Sequence, residues 1–297
     1  MAKPAILVFG CNGQVGREVL RAAPPEFSVA GIDRAEADIT DTNTVARALD
    51  AHSPAIAINA AAYTAVDQAE SERDRAFAVN RDGAGIIAKA CAARGVALFH
   101  LSTDYVFDGT KRGAYVEDDP IAPLSVYGRS KAEGEAAVRA ALDRHVILRT
   151  EWVYAAHGKN FVRTMLRLGD ERDELRIVDD QRGSPTSARS IARTILAVAR
   201  NLAARPNGFG TFHYTDAGET SWRGFAEAIF RHAAASGRRV PKLVPIATAD
   251  YPTPARRPLN SVLDCRRVES VHAVRRTSWQ EELAAVMDEL LAPAKAS

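Results

Sequence analysis

Ala5-Ile6-Leu7-Val8-Phe9, followed by Gly10-Cys11-Asn12-Gly13-Gln14-Val15-Gly16, is the stretch on which the fold turns. Five apolar residues without polar alternation read as a strand covered on both faces, the kind found in parallel sheets. The glycines after it follow the spacing GxxGxxG, which differs from the commoner GxGxxG, and residues 17–23 continue as a helix. Backbone without Cβ lets a pyrophosphate approach the helix N-terminus, whose free N–H groups and dipole favour anions. The loop from Gly10 to Gly16 is therefore a candidate dinucleotide site.

Outward from this loop, strands and helices alternate. Residues 28–32 read as a second strand ending at Asp33, where a carboxylate usually bonds the ribose hydroxyls of a dinucleotide. Arg34 follows directly and suits a 2′-phosphate, so the sequence leaves both NADH and NADPH open. A helix up to residue 51 is capped by Thr40 or Asp41. Residues 56–62 read as a third buried strand whose small end, Ala60-Ala61-Ala62, leaves room for a nucleotide or packs closely on a helix. Helices over 70–80 and 84–94, a strand over 97–101 and another over 146–149 continue the pattern. This predicts an α/β fold, a doubly wound, Rossmann-like parallel sheet with right-handed crossovers.

After Thr150 the pattern loosens. A helix over 185–200 and a strand over 210–215 complete the sheet, while helices over 222–235 and 279–291 are amphipathic. The proline-bearing stretch 241–257 reads as irregular, and residues 292–297 as disordered. The expected division is a dinucleotide-binding domain, 1–150 and 186–216, and a smaller C-terminal substrate-binding lobe, 151–185 and 217–297.

Two polar clusters sit where such a sheet does chemistry. Ser102-Thr103-Asp104 follows the fourth strand, and ligands bind outside the carboxyl ends of parallel strands. Tyr127 and Lys131 lie four apart on a helix expected over 129–141, hence on one face. A phenol, with a pKa of about 10, exchanges protons poorly at neutral pH unless a neighbouring ammonium stabilises the phenolate.

Composition narrows the class. The chain has 297 residues, 46% hydrophobic and 26% charged, the mix of a globular protein. With 39 Lys and Arg against 37 Asp and Glu, the net charge is +2, so no strong field points to nucleic acid or a membrane surface. There is no apolar run of about 18 residues, and the chain runs from Met1 straight into a strand, so a cytoplasmic location is expected. Cys11, Cys91 and Cys265 form neither a CxxC nor a metal-ligand spacing, and no metal site is expected.

Taken together, these stretches resemble the extended short-chain dehydrogenase/reductase superfamily and, within it, the dTDP-4-dehydrorhamnose reductase family. The narrower likeness rests on Asn59-Ala-Ala-Ala-Tyr-Thr-Ala-Val-Asp67, Ser102-Thr-Asp-Tyr-Val-Phe-Asp-Gly109, Tyr127-Gly-Arg-Ser-Lys131 and Arg149-Thr-Glu-Trp-Val-Tyr154. Asp180-Gln-Arg-Gly-Ser-Pro-Thr186 and Tyr251-Pro-Thr-Pro-Ala-Arg-Arg-Pro258 carry it into the lobe.

The resemblance implies reduction of the C4 keto group of dTDP-4-dehydro-L-rhamnose by NADPH or NADH. It implies that Tyr127 gives the proton, that Lys131 binds the nicotinamide ribose and lowers the phenol pKa, and that Thr103 bonds the reacting carbonyl. Gly13, Gln14 and Val15 would lie under the pyrophosphate, with Gly10, Asn12 and Gly16 completing the loop. Asp33, Arg34, Asp38, Ile39 and Ala60, Ala61, Ala62, Tyr63 and Thr64 would surround the rest of the cofactor. Asp104 and Trp152 would touch the nucleotide sugar, and Arg257 would bind its phosphate or make an ion pair within the lobe.

Part of that family is dimeric around a magnesium ion held by an acidic residue three positions after a Pro-Thr pair; here that position is Arg189. Magnesium and the metal-centred dimer are therefore not expected, and the chain is read as a monomer or weak homodimer. Two other readings stay open: a reductase or epimerase of another nucleotide sugar, or a nucleotide-binding regulatory subunit without catalysis.

Overall fold

Ile6 and Val8 face one side of the first strand and Leu7 and Phe9 the other, and all are buried. The computed structural model describes residues 3–204 and 207–292. Its first half runs β1 (Ala5–Phe9), α1 (Gln14–Arg21), β2 (Ser28–Ile32), α2 (Thr42–His52), β3 (Ile56–Asn59), α3 (Arg73–Phe77), α4 (Ala84–Ala92), β4 (Ala97–Thr103), α5 (Val126–Ala141) and β5 (His145–Thr150). It continues with β6 (Val153–Tyr154), α6 (Phe161–Glu171), β7 (Glu174–Val178), β8 (Arg182–Gly183), β9 (Thr186–Ser187), α7 (Ala188–Ala204) and β10 (Gly210–His213). The chain closes with β11 (Thr220–Ser221), α8 (Trp222–Ala235), β12 (Lys242–Ile246), α9 (Arg266–His272) and α10 (Trp279–Leu291).

The main sheet has six parallel strands in the order β10-β5-β4-β3-β1-β2. One face packs Ile6, Val8, Ile58 and Phe99 against Val15 and Val19 of α1 and Ile191 and Ile195 of α7. The other packs Leu7, Phe9, Ala57 and Leu98 against Val45 and Leu49 of α2, Ile87 of α4 and Val138 of α5. Truncating one of these aliphatic side chains to alanine costs about 2–5 kcal/mol. From β1 the chain first goes out to β2 and then returns to β3 on the other side. That reversal leaves a crevice at the carboxyl ends of β1 and β3, where doubly wound sheets bind ligands.

A separate apolar core joins α6, α8 and α10, with Met165, Phe225, Ile229, Leu283 and Val286 buried in it. Several features differ from the sequence reading. Residues 242–246, expected to be irregular, form β12 and pair with β7 in a two-stranded parallel ladder. Pro245 is tolerated there because a strand with one partner has a free edge. The helices expected over 70–80 and 84–94 are joined, through α3 and a π-helical turn over Ala78–Gly83, into α4. Asn80 in that turn accepts from the Tyr63 amide and donates to the Tyr63 carbonyl and to Ser130 Oγ, so the widened turn ties the β3 loop to α5.

β3 stops at Asn59, leaving Ala60, Ala61 and Ala62 as loop, and α5 starts at Val126 rather than at 129. α7 likewise starts at Ala188, because Thr186 and Ser187 pair with β6 instead. Asp41 is the cap of α2, accepting from the Asn43 amide. Of the tail expected to be disordered, residues 293–297 lie outside the described residues.

Candidate active site

A cleft of about 420 Å³ opens at the β1/β3 crevice, lined by Gly10, Asn12 and Gly13, by Asp33, Arg34, Asp38 and Ile39, and by Ala60, Ala61, Ala62 and Tyr63. Gly10 has φ +77°, and a Cβ there would sit 2.7 Å from the Ala61 backbone, so no other residue fits. Gly13 precedes α1 without any side-chain cap, which leaves the first N–H groups of the helix free for an anion. Asn59 fixes the floor, its Oδ1 accepting from the Ala61 amide and its Nδ2 meeting His100 Nδ1 at 3.1 Å. Burial, followed by the charge of Lys131, holds His100 well below the usual imidazole range.

Asp33 accepts from Asn12 Nδ2 at 3.1 Å and from the Ala35 amide at 2.8 Å. Arg34 is exposed and is tethered to Asp38 at 3.1 Å. Both alternatives raised by the sequence are thus present in one cleft, a carboxylate and a guanidinium. Gln14, Val15, Gly16 and Thr64 do not line it: Gln14 Oε1 accepts from Asn160 Nδ2 of the lobe, Val15 and Gly16 are buried in α1, and Thr64 is exposed. Arg75, with its guanidinium 5.6 Å from the centre of the Tyr63 ring, lines the cleft although nothing in its sequence position announces it.

The polar cluster stands at the ends of β4 and β5. Thr103 pairs in register with Thr150. Its hydroxyl accepts from the Tyr105 amide and donates to Asp104 Oδ1 at 2.9 Å, while Asp104 Oδ2 accepts from Ser261 Oγ at 2.6 Å. Burial pushes the Asp104 carboxyl up to about 6, the Ser261 and Thr103 hydrogen bonds working against it.

α5 delivers Tyr127 and Lys131 to the same place. Ser125 caps it, accepting from the Gly128 amide, and Glu70 accepts from the Val126 amide at 2.8 Å. A Cβ on Gly128 would fall 2.2 Å from the Tyr105 carbonyl oxygen, so glycine here lets the helix start press against the Thr103 turn. The Tyr127 phenol is buried beside the Thr103 hydroxyl. Burial pushes it up to about 12, with Thr103 lowering and Asp104 raising it. This corrects the expected lowering by Lys131. The Lys131 ammonium instead donates to the Leu101 carbonyl at 2.6 Å, and burial pulls it down to about 8 against the pull of Glu135. A phenol so placed keeps its proton at neutral pH and would give it up only to an oxygen that becomes strongly basic as hydride arrives.

Behind Lys131, Glu135 accepts from Ser102 Oγ and from two nitrogens of the buried Arg149. That support was not legible, since the pair is 14 residues apart and belongs to two elements. Trp152 stacks on Trp222 with centroids 3.6 Å apart and planes 10° apart. Arg257 meets Asp67 at 2.8 and 3.1 Å, an ion pair made not within the expected lobe but across to the loop after β3.

Arg189, a donor without lone pairs, does not fit as a magnesium ligand. Among the described residues no group of three or more His, Cys, Asp or Glu could hold a metal.

A parallel sheet open at its switch point, with tyrosine, lysine and threonine converging beside the crevice, defines a dinucleotide-dependent oxidoreductase of the short-chain dehydrogenase/reductase type. Over residues 4–292 the chain matches the family described as RmlD substrate binding domain. The chain belongs to that family, the dTDP-4-dehydrorhamnose reductases. A dTDP-4-dehydrorhamnose reductase of Sinorhizobium fredii (strain NBRC 101917 / NGR234) is 45% identical over 293 residues, which are 98% of this chain and 99% of that one. The crystal structure of a dTDP-4-dehydrorhamnose reductase from Clostridium acetobutylicum ATCC 824 is 38% identical with a TM-score of 0.90, covering 96% of this chain and 99% of the other. That of the Bacillus anthracis str. Ames reductase, in complex with NADP, is 35% identical with a TM-score of 0.90 and covers 97% and 100%.

Proposed function

We propose that this chain reduces the C4 keto group of dTDP-4-dehydro-L-rhamnose to give dTDP-L-rhamnose, with NADPH or NADH as the reductant. The observation that carries the reading is that Tyr127 is buried beside the Thr103 hydroxyl, with Lys131 one turn further along α5, and packs in one cluster with Tyr63 of the dinucleotide cleft. A reduced nicotinamide bound there supplies a hydride, which goes to C4 as the nicotinamide is oxidised. Tyr127 gives its phenolic proton to the C4 oxygen, so the carbonyl becomes a hydroxyl and the tyrosine is left as phenolate. The Thr103 hydroxyl, turned from Asp104 Oδ1, donates to the same oxygen and stabilises the charge developing on it. Lys131, once drawn from the Leu101 carbonyl, binds the nicotinamide ribose and offsets the phenolate charge. Asp33, Arg34, Asp38, Ile39 and Ala60 to Tyr63 hold the adenosine half, and Gly10, Asn12 and Gly13 the pyrophosphate.

Asp104 and Trp152 are assigned to the nucleotide sugar, and residues 151–185 and 217–297 to the lobe that covers it. The separate core of α6, α8 and α10 supports that division. No helix among the described residues is long and apolar enough to cross a membrane, which agrees with a cytoplasmic enzyme. The test is loss of NADPH fluorescence with a panel of 4-keto nucleotide sugars. Turnover of dTDP-4-dehydro-L-rhamnose above the others is expected. No turnover with any of them overturns the reading in favour of a nucleotide-binding subunit.

A further inference from the structure

Tyr127, Lys131 and Glu135 stand four apart along α5, so they share one face of it, and all three are buried. Lys131 and Glu135 anchor on consecutive residues of β4. The ammonium donates to the Leu101 carbonyl at 2.6 Å, and the carboxylate accepts from Ser102 Oγ at 2.6 Å. On its far side Glu135 takes Arg149 of β5 in a two-pronged pair, Nε at 2.9 Å and Nη2 at 2.7 Å, with both side chains enclosed. The remaining Arg149 nitrogen reaches the Glu117 carbonyl at 3.1 Å and His213 Nε2 at 3.3 Å. A row of side chains thus runs from the reacting phenol into the core of the sheet: phenol, ammonium, carboxylate, guanidinium.

A buried ion pair can often be replaced by apolar side chains without loss of stability, so folding alone does not call for an arginine–glutamate pair at this depth. The neighbouring ammonium does. A lysine enclosed in protein tends to give up its proton, and a carboxylate within about 6 Å favours the charged form. We propose that Glu135 is a positioning residue that acts through Lys131: its buried carboxylate is the fixed counter-charge that keeps the ammonium protonated, and Arg149 keeps that carboxylate ionised and aimed. When Tyr127 releases its proton, charges alternate along the whole row, phenolate, ammonium, carboxylate, guanidinium. This assignment rests on the reading of Tyr127 and Lys131 given above.

The other groups around Lys131 leave this role to Glu135. Burial pulls the ammonium down to about 8, and the Glu135 charge is what works against it. Burial would raise the Glu135 carboxyl, but Arg149, Ser102 and Arg139 outweigh it and hold the carboxyl below its usual range. From β4, His100 is held well below the usual imidazole range by burial and then by Lys131, and Asp104 is bonded to Thr103 and Ser261. From β5, His145 turns its Nδ1 to the Leu142 carbonyl. From β10, His213 is pulled down to about 3 by burial and then by Arg149. Glu70 accepts from the Val126 amide at the start of α5, and Arg81 of the π-helical turn pairs outward with Asp82 and Glu133. Arg139, one turn beyond Glu135, reaches its Oε2 at 3.2 Å from the protein surface.

The experiment reads Lys131 directly, by NMR titration of the full chain labelled with ¹³C at lysine Cε. The Lys131 signal is the one missing from Lys131→Met. Glu135→Gln keeps the shape and an oxygen for Ser102 and Arg149 but loses the charge. Its Lys131 midpoint should fall about one pH unit below that of wild type. The alkaline limb of kcat/KM should move down with it. Activity at pH 8 should then drop about fivefold, while at pH 6 the two proteins agree within about twofold. A loss caused by misplaced side chains would be the same at both pH values. Arg139→Gln removes a cation that shares the carboxylate from its exposed side, so its Lys131 midpoint should rise above that of wild type.

A Lys131 midpoint in Glu135→Gln at or above that of wild type overturns the proposal, as does a loss of kcat/KM equal at pH 6 and pH 8. If Glu135→Gln does not fold, an Arg139→Gln midpoint at or below that of wild type overturns it. Wild type and variants that show the expected midpoints but reduce no 4-keto nucleotide sugar would sink the reductase reading and leave Glu135 as the counter-charge of Lys131.

Discussion

Arg257 and Asp67, 190 residues apart, face each other with two nitrogen–oxygen contacts of 2.8 and 3.1 Å. The same guanidinium takes the Ala255 carbonyl and the Thr253 hydroxyl. The pair thereby pins the segment around 251–258 to the loop that follows β3, next to the dinucleotide cleft. Asp67→Asn should raise KM for the nucleotide sugar several-fold and leave KM for NADPH near wild type. The effect on stability should stay under about 1 kcal/mol, because the Asp67 side chain is 41% exposed. Steady-state kinetics with each substrate varied decides it, and an unchanged sugar KM refutes it.

Asp33 and Arg34 line the cleft together, the one repelling a 2′-phosphate and the other attracting it. Wild type should use both NADH and NADPH, and Asp33→Ala should move the ratio of kcat/KM values toward NADPH. The measurement is that ratio in both proteins. A ratio that does not move shows that Asp33 does not face the adenosine ribose.

The pH profile should carry two limbs. Lys131, pulled down to about 8, loses its charge as pH rises through that value, and kcat/KM should fall there. Asp104, pushed up to about 6, takes a proton as pH falls through that value and stops accepting from the sugar, so KM should rise on the acid side. Asp104 also has a stability consequence. The unfolded carboxyl ionises at about 3.9 and the folded one later, so wild type should lose stability as pH climbs through the window between them. Asp104→Asn should flatten both the acid-side rise in KM and that loss of melting temperature. A variant that keeps the wild-type acid limb contradicts the assignment.

Arg189 occupies the position at which an acidic residue would hold magnesium, and its five N–H groups offer no lone pair. Activity and light-scattering mass should be the same with EDTA and with added magnesium. Loss of activity in EDTA, or a magnesium-dependent doubling of mass, would show that other acidic residues assemble the site.

The alternation of apolar runs and helices made the sheet legible, because β1 and β3 are covered on both faces and carry no polar residue in their middle. β12 was not legible: Lys242, Pro245 and the nearby prolines read as a breaker, and only its partner β7 makes the segment a strand. In the site, Tyr127, Lys131 and Thr103 announced themselves through spacing and position after a strand. Ser261 did not. Its environment comes from a C-terminal segment folding back 157 residues onto Asp104. The direction of the Tyr127 shift was also hidden, since helical spacing fixes neighbours and not the burial that outweighs them.

The central claim is that Tyr127 is the proton donor of a keto-sugar reduction. The direct measurement is kcat of Tyr127→Phe with dTDP-4-dehydro-L-rhamnose and NADPH, taken beside NADPH binding and melting temperature of the same protein. Removal of one hydroxyl from a buried ring should leave folding and cofactor binding close to wild type. Turnover should fall by about 10²–10⁴, the contribution of general acid catalysis. A variant that binds NADPH normally and keeps more than about a tenth of wild-type kcat would contradict the account.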